Sequence, residues 1–308
     1  MNWDKINKIV KEAKNTIDGK IKNHLCAFDN CITRTRGKDK YCKRHKKSFK
    51  SIIFILLSAM IYAEQPKSIG PTVEFISKRF HMQEPNYLIF GFQKSDSSIK
   101  YKNQVKILIS MKFDIVDWKL DSIKKFQITF GYRQKSFWNV YDGAVSRPMY
   151  ENDYSPSFYC SYQTMARALP IAFLGGYVHE SNGNTDKLSR SWDRICSSMS
   201  LGNLESNQAF AQLDLWYPWG MEENPEIWKH YGIGELTIYY KPYNFFCCSI
   251  IWKIISDNFE FGFYGNPFYR TKTIKPTIYI QLYIGSGENM SDYKERHTCL
   301  RIGMATLL

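Results

Sequence analysis

The residues that could do chemistry together lie in one stretch, GGYVHESNGNTDKLSRSWDR, at positions 175–194. His179 and Ser181 are two positions apart, so on a β-strand both side chains leave the same face. The Asn-Gly pair that follows favours a tight turn, and a hairpin centred near Asp186 would place Asp193 opposite His179. Ser181 would then be a nucleophile, His179 its general base and Asp193 the group that orients the imidazole.

The elements that must position these residues read as β-strands. Apolar and polar residues alternate with period two at 104–113, 126–133, 236–241 and 278–285. Such segments run about ten residues, the length that a tilted strand needs to cross a membrane. The aromatic content of 16% and the mean hydropathy of −0.40 suit an apolar outer wall around a polar lumen. We therefore predict an all-β fold, an antiparallel transmembrane β-barrel, with a soluble sandwich or lipocalin-like barrel as the alternative.

The N-terminal segment differs from the rest of the chain. Residues 1–50 carry 15 Lys and Arg against 5 Asp and Glu, so most of the net charge of +13 belongs to them. Within residues 1–47, four side chains have a spacing that suits a tetrahedral Zn²⁺ site, similar to small Cys3His zinc knuckles of nucleic-acid binders: Cys26, Cys31, Cys42 and His45. The alternative is a chance spacing in a segment that the mature protein lacks.

Residues 48–63 have the order of a secretory signal peptide. Lysines precede the apolar run SIIFILLSAMIYA, which is too short to span a bilayer comfortably and ends at Ala63. A buried helix or strand is the alternative. Because the segment lies far from Met1, either translation begins later or a zinc-binding leader is removed with the signal. Residues 64–308 would then form the mature barrel domain.

The stretch HESNG followed by SRSWDR resembles the active-site signature of the outer-membrane phospholipase A family, which reads His-x-Ser-Asn-Gly, five residues, then Ser-Arg-Ser-Trp-Asn-Arg. The resemblance extends over about residues 85–308. Further positions match it in type and spacing: Tyr132, Gln134, Lys135, Ser136, Trp138, Ser146, Pro148, Glu151, Tyr154, Pro156, Asn224, Pro225, Ile227, Gly287, Glu288, Asp292 and Tyr293. One departure is Asp193, where the family has Asn; a carboxylate can both orient His179 and stabilise its imidazolium.

The resemblance implies a twelve-stranded barrel in the outer membrane of Gram-negative bacteria. It implies calcium-dependent hydrolysis of the sn-1 and sn-2 acyl esters of phospholipids and lysophospholipids, a phospholipase A1 and A2 activity, by a homodimer with its site on the outer wall. The Gly183 N–H would help to form an oxyanion hole, and Gln134 would hydrogen-bond across the dimer. Calcium contacts would come from three residues, the last in the partner copy: Ser189 through its hydroxyl, and Asn184 and Ser146 through backbone carbonyls.

Two other functions are alternatives. The barrel could be catalytically inactive and serve as a pore or structural protein, which Ser181→Ala would distinguish because a pore does not need that hydroxyl. The segment 1–47 could make the protein a zinc-dependent nucleic-acid binder. Because 27 basic residues nearly balance 24 acidic ones after residue 50, we expect no nucleic acid to bind the mature barrel. The chain ends in ATLL instead of an aromatic residue, so we expect a last strand shorter than the family's.

Overall fold

The computed structural model describes residues 79–95, 103–139, 149–166, 168–204, 208–267 and 277–306. Within these ranges the strands are β1 Phe80–His81, β2 Tyr87–Ser95, β3 Asn103–Lys119, β4 Lys125–Trp138, β5 Glu151–Ala166, β6 Leu169–Ser181, β7 Ser191–Asn203, β8 Ala209–Trp219, β9 Gly234–Tyr243, β10 Phe246–Ile254, β11 Phe259–Gly265, β12 Thr277–Gly285 and β13 His297–Ala305. A 3-10 helix, Asp186–Leu188, follows β6, and an α-helix, α1 (Ile227–Tyr231), follows β8.

Several predictions from the sequence fall on other parts of the chain. The zinc ligands Cys26, Cys31, Cys42 and His45 and the signal peptide at 48–63 lie outside the described residues. So does Ser146, the calcium contact that the resemblance assigns to the partner copy. These assignments stay predictions.

The strands close into a twelve-stranded antiparallel barrel, as predicted. From β2 to β13 each strand pairs with the next in the chain, and β13 pairs with β2, where Leu300 lies opposite Phe92. All nine residues of β13 pair with both β12 and β2. The two-residue β1 lies beside β3. Each of these twelve strands therefore has a paired strand on both sides, as a sheet that faces lipid requires. No helix in the described ranges is long and apolar enough to cross a membrane.

Side chains alternate between an apolar outer wall and a polar lumen. On β7, Ile195 is 60% exposed on the outer wall while Trp192 and Arg194 are buried inside. On β4, Gln127 and Thr129 hydrogen-bond inward to Asp114. The alternation read from the sequence is therefore the division between lipid-facing and lumen-facing positions.

The lumen is occupied by ion pairs. Glu288, which follows β12, contacts Arg301 at 2.7 Å and Lys106 at 3.0 Å, and all three side chains are buried. In a second group, Glu180 lies 2.6 Å from Arg194 and 3.4 Å from Arg133. A cavity of about 220 Å³ lies next to this second group. Leu108, which breaks the alternation of β3, packs inward in an apolar cluster.

A second apolar cluster closes the end of the barrel where β6 ends and β7 begins. Residues of α1 and of the loop 286–296, which we call the mouth loop, pack there beneath the β6–β7 connection. The members are Trp192, Ile227, Tyr231, Met290 and Tyr293. This end of the barrel is therefore a packed platform under the candidate chemistry.

Candidate active site

The β6–β7 hairpin brings the predicted chemical residues together. His179 pairs with Asp193 and Ser181 with Ser191, the register that the hairpin arithmetic predicts. Between them, the carboxylate of Glu180 points inward and accepts hydrogen bonds from Arg194 at 2.6 Å and from the Trp192 indole at 3.2 Å. Because neighbouring side chains on a strand leave opposite faces, this inward anchor turns His179 and Ser181 to the outer wall.

His179 and Asp193 form a close polar pair on that wall. Nδ1 of His179 lies 2.8 Å from Oδ1 of Asp193. A carboxylate can only accept, so Nδ1 carries the proton and Nε2 has its lone pair available for a second proton. The imidazole is therefore set up as a general base toward a group on its Nε2 side. Ser181 lies two residues farther along the same face of β6 and is partly exposed.

Two neighbours of Asp193 were missed by the sequence reasoning. The Tyr177 hydroxyl donates a hydrogen bond of 2.6 Å to Asp193 Oδ1. Gly220, with φ +61°, leaves room for the carboxylate, since a Cβ at that position would lie 2.6 Å from Asp193 Oδ2. The alternation of side chains along β6 could have identified Tyr177, because Tyr177 lies two residues before His179 and therefore on the same face. Nothing in the local sequence connects Gly220 to this site.

The connection from Ser181 to Ser191 is wider than the tight turn predicted at Asn182-Gly183. It is a loop, residues 182–190, that contains the 3-10 helix. The Asn182 side chain is buried in it and accepts the backbone N–H groups of Asn184 at 3.2 Å and Arg190 at 3.0 Å. The loop is wider than a tight turn because the Asn182 side chain, which readily hydrogen-bonds to nearby backbone groups, closes it in place of a backbone hydrogen bond. Gly183 is exposed with φ +64°, a backbone conformation that favours glycine.

Several side-chain oxygen atoms that could bind a metal ion lie beside this loop. The Ser189 and Ser191 hydroxyls donate to Oε2 of Glu223 at 2.8 and 3.3 Å. Asn224 accepts the backbone N–H of Ser191 at 3.0 Å, which fixes the Glu223 segment against β7. Asn184 is exposed in the same loop. Hydroxyl, carbonyl and carboxylate oxygens are the ligands that Ca²⁺ takes, so these residues fit that ion.

This set differs from a transition-metal site. Among the described residues, no group of three or more His, Cys, Asp and Glu side chains could hold a metal ion. The sequence did not identify Glu223, because its contact with Ser189 depends on the segment after β8, which returns to β7.

Gln134 faces the outer wall, as its parity on β4 predicts. Its Oε1 accepts from the Tyr132 hydroxyl at 2.9 Å, and its Nε2 donates to the Ser136 hydroxyl at 3.0 Å. The sequence argument assumed that this amide needs a partner in a second copy. Within one chain it already has two partners on its own strand.

Comparison with known proteins gives concordant matches. Residues 73–306 match the family model described as Phospholipase A1. Phospholipase A1 of Escherichia coli K12 is 28% identical over 215 residues, which cover 67% of this chain and 70% of that protein. Phospholipase A1 of Proteus vulgaris is 26% identical over 243 residues, which cover 73% and 80%.

Two solved structures share the fold. Outer membrane phospholipase A from Escherichia coli superposes with a TM-score of 0.63 at 24% identity, covering 74% of this chain and 98% of that one. The outer membrane phospholipase dimer of Salmonella typhi with bound calcium gives a TM-score of 0.63 at 23% identity, covering 74% and 92%.

Proposed function

Because the chain belongs to the phospholipase A1 family, it is a phospholipase, and we propose that it hydrolyses the sn-1 and sn-2 acyl esters of phospholipids and lysophospholipids with calcium. It works in the outer membrane of a Gram-negative cell. The observation that carries the proposal is the 2.8 Å contact of His179 with Asp193 on the lipid-facing wall, with Ser181 on the same strand face. A membrane ester can reach this wall without leaving the bilayer.

The residues support acyl transfer in two steps. Ser181 Oγ attacks the ester carbonyl carbon while Nε2 of His179 takes the hydroxyl proton. The same nitrogen then protonates the departing lysophospholipid oxygen as the C–O bond breaks, which leaves the acyl group on Ser181. Water attacks that ester, His179 again moves the proton, and the fatty acid leaves. Asp193 stabilises the imidazolium in each step, and the Gly183 N–H donates to the developing oxyanion.

Calcium would be held by oxygen atoms close to this hairpin. The Ser189 hydroxyl and the Asn184 carbonyl are the contacts in the loop, Glu223 adds a carboxylate that already touches Ser189, and Ser146 would come from a second copy of the chain. A bound calcium ion supplies positive charge that favours the oxyanion. The homodimer that this sharing requires has a parallel in the calcium-bound Salmonella typhi dimer.

The ion pairs in the lumen favour the enzyme over the alternative of an inactive pore. Lys106, Glu288 and Arg301 form one buried group there, and Glu180 and Arg194 belong to a second. On the outer wall, in contrast, His179 and Asp193 form a close polar pair next to Ser181. A protein built for conduction would need its polar surface along an open lumen.

The test is fatty-acid release from phospholipid micelles by the full chain refolded in detergent, with calcium and with a chelator. We expect calcium-dependent release that Ser181→Ala abolishes. Ser197→Ala is the matched control, because Ser197 is exposed on β7 of the same barrel. Lipids labelled at one acyl position separate sn-1 from sn-2 hydrolysis. Release that persists in Ser181→Ala, or its absence from folded wild type, would contradict the proposal.

A further inference from the structure

Asp193 is held by a residue outside the catalytic three. We propose that Tyr177 is a positioning residue of the hydrolytic site, which fixes the Asp193 carboxylate in its contact with His179 and stabilises its charge on the lipid-facing wall. This inference rests on the proposed function and deepens it. It assigns a role to a side chain on the outer wall that the reaction itself does not use.

Two hydrogen-bond donors, the Tyr177 hydroxyl and the His179 imidazole, share one carboxylate oxygen of Asp193. Asp193 Oδ1 accepts the Tyr177 hydroxyl at 2.6 Å and lies 2.8 Å from Nδ1 of His179. Tyr177 and His179 lie two apart on β6, and Tyr177 pairs with Ile195 on β7, so Asp193 is its diagonal neighbour across the strands. The Tyr177 ring also packs on Trp219, with centroids 5.8 Å apart. The ring is therefore held from one side while its hydroxyl holds the carboxylate.

The need for such a donor follows from the position of the charge. A carboxylate facing lipid is costly unless hydrogen bonds replace its hydration. The titratable side chains that face Asp193 are His179 and Tyr177, both from β6, while Trp219 and Gly220 on the β8 side carry no charge. Glu223 lies beyond, against Ser191. Among the described residues no permanent cation contacts Asp193, so the Tyr177 hydroxyl is its neutral donor.

Charge decides how much the hydrogen bond matters. A hydrogen bond to an anion is shorter and about twice as strong as one between neutral groups. Without the Tyr177 hydroxyl, the carboxylate can turn away from His179. With Asn at position 193 the acceptor is an uncharged amide, so the hydrogen bond from Tyr177 no longer stabilises a negative charge. The effect of the hydroxyl should therefore depend on Asp193 being an acid.

The experiment is a double-mutant cycle on the full chain, refolded as the calcium-bound dimer. Tyr177→Phe keeps the ring against Trp219 and removes only the hydroxyl. We expect kcat to fall about tenfold with KM within about twofold, the size of one lost hydrogen bond to a charged group. In the Asp193→Asn background the same change should cost less than about twofold. Tyr217→Phe, on the same wall and 73% exposed, is the matched control.

A spectroscopic signal separates positioning from general stability. The side-chain Nδ1–H signal of ¹⁵N-labelled His179, identified by its loss in His179→Asn, should change in Tyr177→Phe and stay unchanged in Tyr217→Phe. Equal losses of kcat in both backgrounds, or an unchanged His179 signal in Tyr177→Phe, would overturn the inference.

The NMR signal also separates the two proposals. If wild type shows no Ser181-dependent release, the proposed function fails, and the His179 signal alone decides whether Tyr177 holds the pair. If release depends on Ser181 but Tyr177→Phe leaves kcat and the signal unchanged, the function stands and this inference fails.

Discussion

The side-chain oxygen of Asn182 accepts the backbone N–H of Arg190 at 3.0 Å, across the base of the loop that carries Gly183. The same oxygen accepts from the N–H of Asn184, and the Asn182 amide donates to the carbonyl of Leu188 at 3.0 Å. One buried side chain thus replaces several backbone hydrogen bonds of a turn. The direction of the Gly183 N–H depends on this loop and therefore on Asn182.

Replacing that side chain should disable the loop while leaving the barrel intact. In Asn182→Ala we expect kcat to fall about 10²-fold, the cost of misplacing one oxyanion donor. Hydrogen–deuterium exchange should increase across residues 183–190 and stay unchanged in the strands. Asn152→Ala is the control. It removes a side-chain hydrogen bond between Asn152 on β5 and Ser136 on β4, outside the loop. Unchanged exchange in the loop together with unchanged kcat would contradict the prediction.

The strands and the register of the hairpin could be predicted because they follow from period two. His179 and Asp193 are opposite each other in any hairpin centred at 186, whatever the shape of the connection, and the structure has that register. The shape itself could not be predicted. It depends on which backbone groups the Asn182 amide reaches, and a local Asn-Gly pair carries no information on that.

Residues contributed by distant loops were also out of reach. Glu223 meets Ser189 from the segment after β8, and Gly220 meets Asp193 from the same segment. Alternation within one strand cannot place a loop from another part of the barrel. In contrast, Tyr132 and Ser136 each lie two residues from Gln134 on β4. Side-chain alternation along that strand could therefore have predicted both hydrogen-bond partners of Gln134.

Calcium affinity should depend on Glu223. Removing its charge while keeping its shape, in Glu223→Gln, should raise the calcium concentration for half-maximal activity about tenfold, because the ion loses a carboxylate from its set of hard oxygen ligands. kcat at saturating calcium should change little. Glu222→Gln is the matched control, since it changes the neighbouring charge by the same amount. The measurement is activity against free calcium in buffered solutions. An equal shift in both variants would show a long-range charge effect instead of a ligand.

The dimer should respond in opposite directions to two changes around Gln134. Tyr132→Phe frees the amide oxygen, and an unpaired amide in lipid gains from a partner in a second copy. We expect the dimer dissociation constant to fall about threefold, as a hydrogen bond of about 0.6 kcal/mol between membrane segments implies. Gln134→Ala should raise the constant by a similar factor.

Energy transfer between labelled copies in detergent with calcium measures these constants. Tyr162→Phe is the control. It removes a tyrosine hydroxyl away from Gln134, because Tyr162 lies on β5 opposite Phe126. A weaker dimer in Tyr132→Phe would show that the Tyr132 hydroxyl itself stabilises the dimer and would contradict the role given to Gln134.

The mouth loop should be held in the barrel by the charge of Glu288. Burial by itself would raise the pKa of Glu288, but Arg301 and Lys106 beside it hold that pKa well below its usual range. A carboxyl group with a lowered folded-state pKa stabilises the protein above its unfolded-state pKa, near 4.3 for Glu. That stabilisation is lost as the pH falls toward the folded-state value. We therefore expect the free energy of unfolding to decrease below about pH 5 in the wild type.

Glu288→Gln should remove this part of the pH dependence and, at neutral pH, cost about 3–5 kcal/mol. It leaves the buried Arg301 without its anion and Lys106 with only Glu260, at 3.6 Å. Urea unfolding of the refolded protein at several pH values gives both quantities. Glu226→Gln is the control: Glu226 is exposed and pairs with Lys229 and Lys294 on the surface, where screening by water makes such pairs weak. If the two variants lose equal stability, the buried ion pairs are not what keeps the mouth loop in place.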